Sequence, residues 1–217
     1  MDIDSFSQCL SFMQTTNPSK ALVDKALPLA GALLGTTLGF ALNYFSSKIK
    51  DNKSTKNKLM CIGEDIEVIE HALNESAKEC ARLVTLLIQK SPLIGNRLPG
   101  SISGLCIDSY FIDVAHKYSR NQRYWIQLTL ERLKEINIKL GNNSSQSTSY
   151  ERSVDILNLL SITIETARLC KMSQLDSRID HYEPLSHLKS LETPNEYIAG
   201  CELALNNVKS ENSSLGL

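Results

Sequence analysis

Few residues in this chain have the types and spacing that chemistry requires. Asp113 and His116 stand three apart, which on a helix puts a carboxylate and an imidazole on one face. That is half of the Glu-x-x-His arrangement with which di-iron bundles hold their metals. The sequence offers no second such pair, so no metal or other cofactor is expected. A diffuse enzyme site around Asp108, Asp113 and His116 is the weakest functional reading. His181 and His187 lie in a polar passage and are expected at the surface. No phosphate-binding glycine loop, nucleophile elbow, HExxH or CxxC occurs anywhere.

The six cysteines (Cys9, Cys61, Cys80, Cys106, Cys170 and Cys201) show no paired spacing. Cys80, Cys106, Cys170 and Cys201 fall on or near apolar faces and are expected as small core residues, with thiols kept reduced. Lys117, Arg120 and Arg123 beside Tyr124 and Trp125 form the one basic–aromatic cluster. Such a cluster stacks on bases or headgroups, but a solvated helix face beside an interior tryptophan explains it more simply. Arg120, Arg123, Tyr124 and Trp125 are the candidate partner surface.

These residues need elements to hold them. The 217-residue chain has 23 basic and 24 acidic side chains, a formal charge of −1 that gives no reason to expect nucleic acid. The charge is uneven. Residues 1–58 carry seven lysines against four aspartates, and the remainder is net acidic. Between Lys25 and Lys48 lie 22 uncharged residues, ALPLAGALLGTTLGFALNYFSS. As a helix they would span ~33 Å, against ~30 Å of bilayer hydrocarbon. Pro28 would then occupy the first turn, and Tyr44 and Phe45 would sit at the interface. The reading is a single transmembrane helix over 26–47, after a short non-cytoplasmic tail over 1–25. Aspartates at positions 2, 4 and 24 argue against a cleaved signal peptide.

Gly31, Gly35 and Gly39 form a GxxxGxxxG series, a groove free of side chains along which a second copy packs closely. Self-association as a homo-oligomer is expected. Lys48, Lys50, Lys53, Lys56 and Lys58 make a basic juxtamembrane segment over 48–58, which either continues the helix or hinges. By the positive-inside rule they place the C-terminal part in the cytoplasm, most simply at a bacterial inner membrane. They also attract anionic lipid. Asn-x-Ser sequons at Asn52, Asn74, Asn142, Asn143 and Asn212 are then compositional only.

Beyond the lysines the pattern is helical throughout, without internal repeats. Leu59, Ile62, Ile66, Ile69, Leu73, Ala77, Cys80, Leu83 and Leu87 recur at three- to four-residue spacing. SPLIGNRLPGSISG (91–104) breaks that helix and is apolar enough to cap a bundle end. Leu105 to Leu140 is helical with a phase slip near 121–125, and Gly141 is a natural C-cap. GNNSSQSTS (141–149) reads as a linker. Thr148 with Glu151 opens a further helix faced by Leu157, Leu160, Ile164 and Ala167. Thr193-Pro194-Asn195-Glu196 opens the last one. The expected fold is all-α: one membrane helix, then an antiparallel bundle of about four helices over 59–210 and a flexible tail over 211–217.

Function follows as expectation. A non-enzymatic, single-pass membrane protein that self-associates and offers its bundle to a cytoplasmic partner fits the pattern best. The alternative is a membrane-active effector, toxin or defence protein, that impairs the bilayer as an oligomer.

Overall fold

The computed structural model describes residues 18–93, 95–141, 149–179 and 183–214, and for 18–30, 149, 150, 212 and 214 the backbone alone. Among the described residues the fold is all-helical. Six α-helices follow one another: α1 (Pro18–Ile88), α2 (Leu105–Val114), α3 (Arg120–Gly141), α4 (Ser149–Leu175), α5 (Pro184–Ser190) and α6 (Asn195–Ser214). A single 3-10 turn, Ala115–Lys117, follows α2. The chain divides into two compact units, residues 1–56 and 57–217.

The first unit holds the segment expected as a membrane helix. Helix α1 runs unbroken for 71 residues, starting at Pro18, whose missing N–H is harmless at a helix start. No separate span begins near Pro28, and residues 48–58 are helical. Among the described residues no helix is long and apolar enough to cross a membrane. The apolar run is diluted by Gly31, Gly35, Gly39, Thr36, Thr37 and Asn43. Every residue from Gly31 to Lys50 is exposed, Phe40 at 77% and Leu42 at 68% among them. Thr36 and Thr37 turn their hydroxyls onto carbonyls of their own helix, at Ala32 and Leu33, which hides their polarity from outside partners.

The second unit is a helical bundle. Ile62, Ile66, Ile69, Leu73, Ala77, Cys80 and Val84 of α1 form one buried stripe at three- and four-residue steps. Against that core lie Ile107, Phe111 and Val114 of α2, Ile126, Leu133 and Ile136 of α3, and Leu157, Leu160 and Ile164 of α4. Ile198, Cys201 and Ala204 of α6 complete it. Helix α6 approaches α1 very closely at Gly200. A methyl group there would meet Thr85, with its Cβ 2.8 Å and its Cγ2 3.0 Å away.

The segment between α1 and α2 is packed and pinned. Ile102 is buried, Leu98 lies on the core, and the Asn137 amide holds the Ile102 backbone at both ends, at 2.8 and 2.9 Å. Glu79, 7% exposed, accepts from Arg82 Nε and Nη2 at 2.8 and 2.7 Å and from the Arg97 N–H at 2.9 Å. The Arg82 guanidinium accordingly holds the Glu79 carboxyl below the usual carboxylate range, against the opposing effect of burial.

Helix α1 ends without glycine. Lys90 takes φ 52°, and the bonds Ser91 N–H to Leu86 O and Lys90 N–H to Leu87 O are those of a Schellman motif. Glu192, at φ 57°, repeats the motif after α5 through Thr193 N–H to Leu188 O and Glu192 N–H to Lys189 O. Thr193 therefore ends one helix rather than capping the next, and its buried hydroxyl makes no hydrogen bond. The expected flexible tail is helical as far as Ser214. Cys9, Ile94, residues 142–148 with the expected cap Thr148, and His181 lie outside the described residues.

Candidate functional site: a cleft between the third and fourth helices

The break expected near 121–125 lies slightly earlier, and its cause is a capping box. Ser119 N–H donates to Gln122 Oε1 and Gln122 N–H to Ser119 Oγ, both at 3.0 Å, so α3 starts anew after the 3-10 turn. The same two residues fasten α3 to the end of α4. Ser119 Oγ donates to Asp176 at 2.6 Å, and the Gln122 amide donates to the Ser173 carbonyl at 2.9 Å. This junction fixes the side chains that follow it in α3.

Between these helix ends opens a cleft of about 570 Å³. Trp125, Leu169 and Met172 are buried and form a small apolar cluster of their own, apart from the main core. They floor the cleft, and Tyr124, 61% exposed, stands at its edge. Arg168, Arg178, Glu165 and Asn121 supply its polar lining. Glu165 lies 4.0 Å from the Arg132 guanidinium, which also holds Glu135 at 3.0 Å. An apolar floor with a few convergent polar groups is the usual make-up of a small-molecule site, and the volume lies in the usual range.

Of the candidate partner residues, then, Tyr124 and Trp125 line this cleft while Arg120 and Arg123 are simply exposed on α3. Arg168, Arg178 and Glu165 were not legible from the sequence, because they come from α4 and the segment after it. The Ser-x-x-Gln signature at 119–122 was the signal that could have located the junction.

The other chemistry-bearing residues do not assemble. Helix α2 stops at Val114, so Asp113 and His116 sit on different elements, and Asp113 pairs with Lys58 at 2.6 Å. Among the described residues no group of metal-ligating side chains gathers. Lys58 is thereby drawn into the bundle and over the Tyr110 ring at 5.5 Å, whereas Lys48, Lys50, Lys53 and Lys56 are exposed. Cys80, Cys170 and Cys201 are buried free thiols. Burial pushes Cys170 and Cys201 up to about 12, and Cys80 further, so none is a thiolate nucleophile.

Cys106 departs from the expected core role, for it forms a disulfide with Cys61 across 5.8 Å between Cα atoms. The spacing of 45 residues hid the pair, which only the packing of α2 on α1 brings together. Asp65, one turn after Cys61, accepts from the Cys106 N–H at 2.6 Å and the Ile107 N–H at 3.1 Å, capping α2 where Gly104 has no side chain to do so. His187 is half-buried rather than superficial and meets the Asn74 amide oxygen at 3.1 Å.

Comparison with protein families, with curated proteins and with solved structures finds no match to this chain.

Proposed function

We propose that the protein is a non-enzymatic, membrane-anchored helical protein. Its uncharged N-terminal run, 26–47, buries itself in lipid and against copies of itself, and its bundle is offered to a cytoplasmic partner. One observation carries this reading: the least charged stretch of the chain is also wholly exposed, from Gly31 to Lys50. Apolar surface left in water costs roughly 25 cal/mol per Å², so such a helix requires a covering. The glycine groove fits a second copy, since a Cβ at Gly31, Gly35 or Gly39 would meet nothing within 4 Å. Lys48, Lys50, Lys53 and Lys56 supply exposed cations at the end of that run, where anionic headgroups would lie.

The same lysines favour a cytoplasmic bundle. The Cys61–Cys106 disulfide weighs the other way, because such bonds persist in oxidising compartments. The lysine rule acts on insertion itself, and in a reducing cytoplasm the pair stays as two thiols. Fractionation with protease protection tests anchor and orientation together. Recovery in the membrane fraction is expected, with the bundle digested only from the cytoplasmic face. A soluble chain overturns the anchor, and a bundle cleaved from outside overturns the orientation. Replacing Gly31, Gly35 and Gly39 with Ile should abolish oligomers while leaving the bundle folded.

A further inference from the structure

We infer that Cys61 and Cys106 form a reversible redox site, a dithiol that a peroxide closes to a disulfide and a dithiol reductant opens again, latching and releasing α2. This inference stands apart from the membrane reading, since both cysteines belong to the bundle unit.

The pair differs from the other described cysteines in access and in placement. Cys80, Cys170 and Cys201 are buried thiols, whereas Cys61 and Cys106 are half-buried, so a reagent in water reaches those two first. Their Cα atoms stand 5.8 Å apart, the usual spacing for a bridge, and closing it demands no backbone rearrangement.

Helix α2 is the element that depends on such a bond. It has ten residues, fewer than the ~12–15 at which a free helix is even marginal in water. Its N-cap, Gly104, has no side chain to cap it, and Leu105 and Ile112 are 78% and 87% exposed. The chain is pinned on either side of it, at Ile102 by Asn137 and at Ser119 by Asp176. Between these pins one face of α1 ties α2 down at three- and four-residue steps. Lys58 holds Asp113, Cys61 holds Cys106, and Asp65 accepts from the Cys106 and Ile107 N–H groups. The outer two are polar contacts that water can replace. The middle one is covalent, and two electrons remove it. With the bridge open, local unfolding of α2 between its pins uncovers the α1 residues beneath it, such as Ile69, which packs against Gly104.

The chemistry balances in both directions. In oxidation one cysteine sulfur attacks a peroxide oxygen, the O–O bond breaks, and water leaves a sulfenic acid behind. The second sulfur attacks that sulfenic sulfur, the S–O bond breaks, the S–S bond forms, and a second water departs. Two thiols have then lost two electrons and two protons to the peroxide. In reduction a thiolate of the dithiol attacks one sulfur, and its second sulfur resolves the mixed disulfide. Cys61 and Cys106 take up two protons, and the reductant is left as its own disulfide.

The full-length protein is reduced with dithiothreitol, freed of it and exposed to a slight excess of hydrogen peroxide. Peptide mapping should find Cys61 joined to Cys106, with Cys80, Cys170 and Cys201 unmodified. In glutathione buffers running from oxidised to reduced, the bridge should close and open again. Amide hydrogen exchange should be roughly tenfold or more faster across α2 in the reduced chain, and equal in the two states across α4. Cys61→Ser, shown to be folded by circular dichroism, should exchange like the reduced protein with or without peroxide. Sulfinic acid at either cysteine in place of the bridge, or pairing with another cysteine, overturns the site. A bridge that persists in fully reduced glutathione overturns the switch and leaves a static staple. A bridge that forms without slowing exchange across α2 overturns the latch.

Discussion

Helix α1 contains two stretches that invert the usual expectation. Residues 31–47 hold no charged side chain, yet every one of them is exposed. Residues 59–88 are studded with Glu64, Asp65, Glu67, Glu70 and Glu75, yet carry the deepest stripe of the core. Apolar composition alone does not bury a helix. Burial needs a facing surface, and the later stretch finds one because its charges restrict the apolar residues to a single stripe that α2 to α6 cover. The earlier stretch has no charges to confine its apolar residues to one stripe. Its glycines say the same. Gly104 and Gly200 touch neighbours so closely that a Cβ would collide, whereas around Gly31, Gly35 and Gly39 there is open space.

The comparison breaks most visibly at the covalent bond in the later stretch. The Cys61–Cys106 disulfide closes 45 residues of chain, and in the chain-entropy account a loop of that length contributes about 4 kcal/mol once oxidised. Cys61→Ser with Cys106→Ser should lower the stability of the oxidised protein by about that amount in denaturant unfolding. An unchanged midpoint would show that the bridge does not restrain the unfolded chain. Next come the two kinds of glycine. Gly200→Ala forces a methyl against Thr85, whose hydroxyl is already engaged with the Ala81 carbonyl at 2.9 Å, and should cost about 2–3 kcal/mol. Gly35→Ala meets nothing, and should raise helix stability by up to ~1 kcal/mol. Opposite signs in one thermal-unfolding series would support the contrast, and equal losses would refute it.

Much of the bundle was legible because its residues obey local rules. The apolar stripe of α1, the faces of α3, α4 and α6 and the break at 91–104 all follow from spacing and from proline and glycine. What stayed hidden depends on residues acting against type or at long range. Lys90 and Glu192 adopt the left-handed conformation that glycine normally signals, so the Schellman ends of α1 and α5 carried no compositional mark. Thr193 looked like an N-cap, but the short helix α5 before it takes up its backbone. The candidate site is split in the same way. Tyr124 and Trp125 stood out as a local cluster, whereas Arg168 and Arg178, more than 40 residues further on, join them only through the Ser119–Asp176 junction.

His187 sharpens the comparison at its smallest scale, since its titration depends on burial within the bundle and on Lys171 of α4. Burial, aided by the Lys171 charge, lowers its pKa from the ordinary 6.5. The folded protein thus holds a neutral imidazole at a pH where the unfolded chain has begun to take up a proton. Well above pH 6.5 both states are neutral and the group is indifferent. As pH falls below that value the unfolded state binds the proton first, so stability declines until His187 itself protonates, and then levels off. Glu70 works in the opposite direction, because burial raises its carboxyl and acidification then favours the folded form. The two are separated by a difference curve. Stability of the wild-type chain minus that of His187→Gln, measured by denaturant unfolding from pH 7.5 to 5, should fall as pH drops. Glu70 acts equally in both proteins and cancels. A flat difference would mean that solvent reaches the imidazole as freely in the fold as out of it.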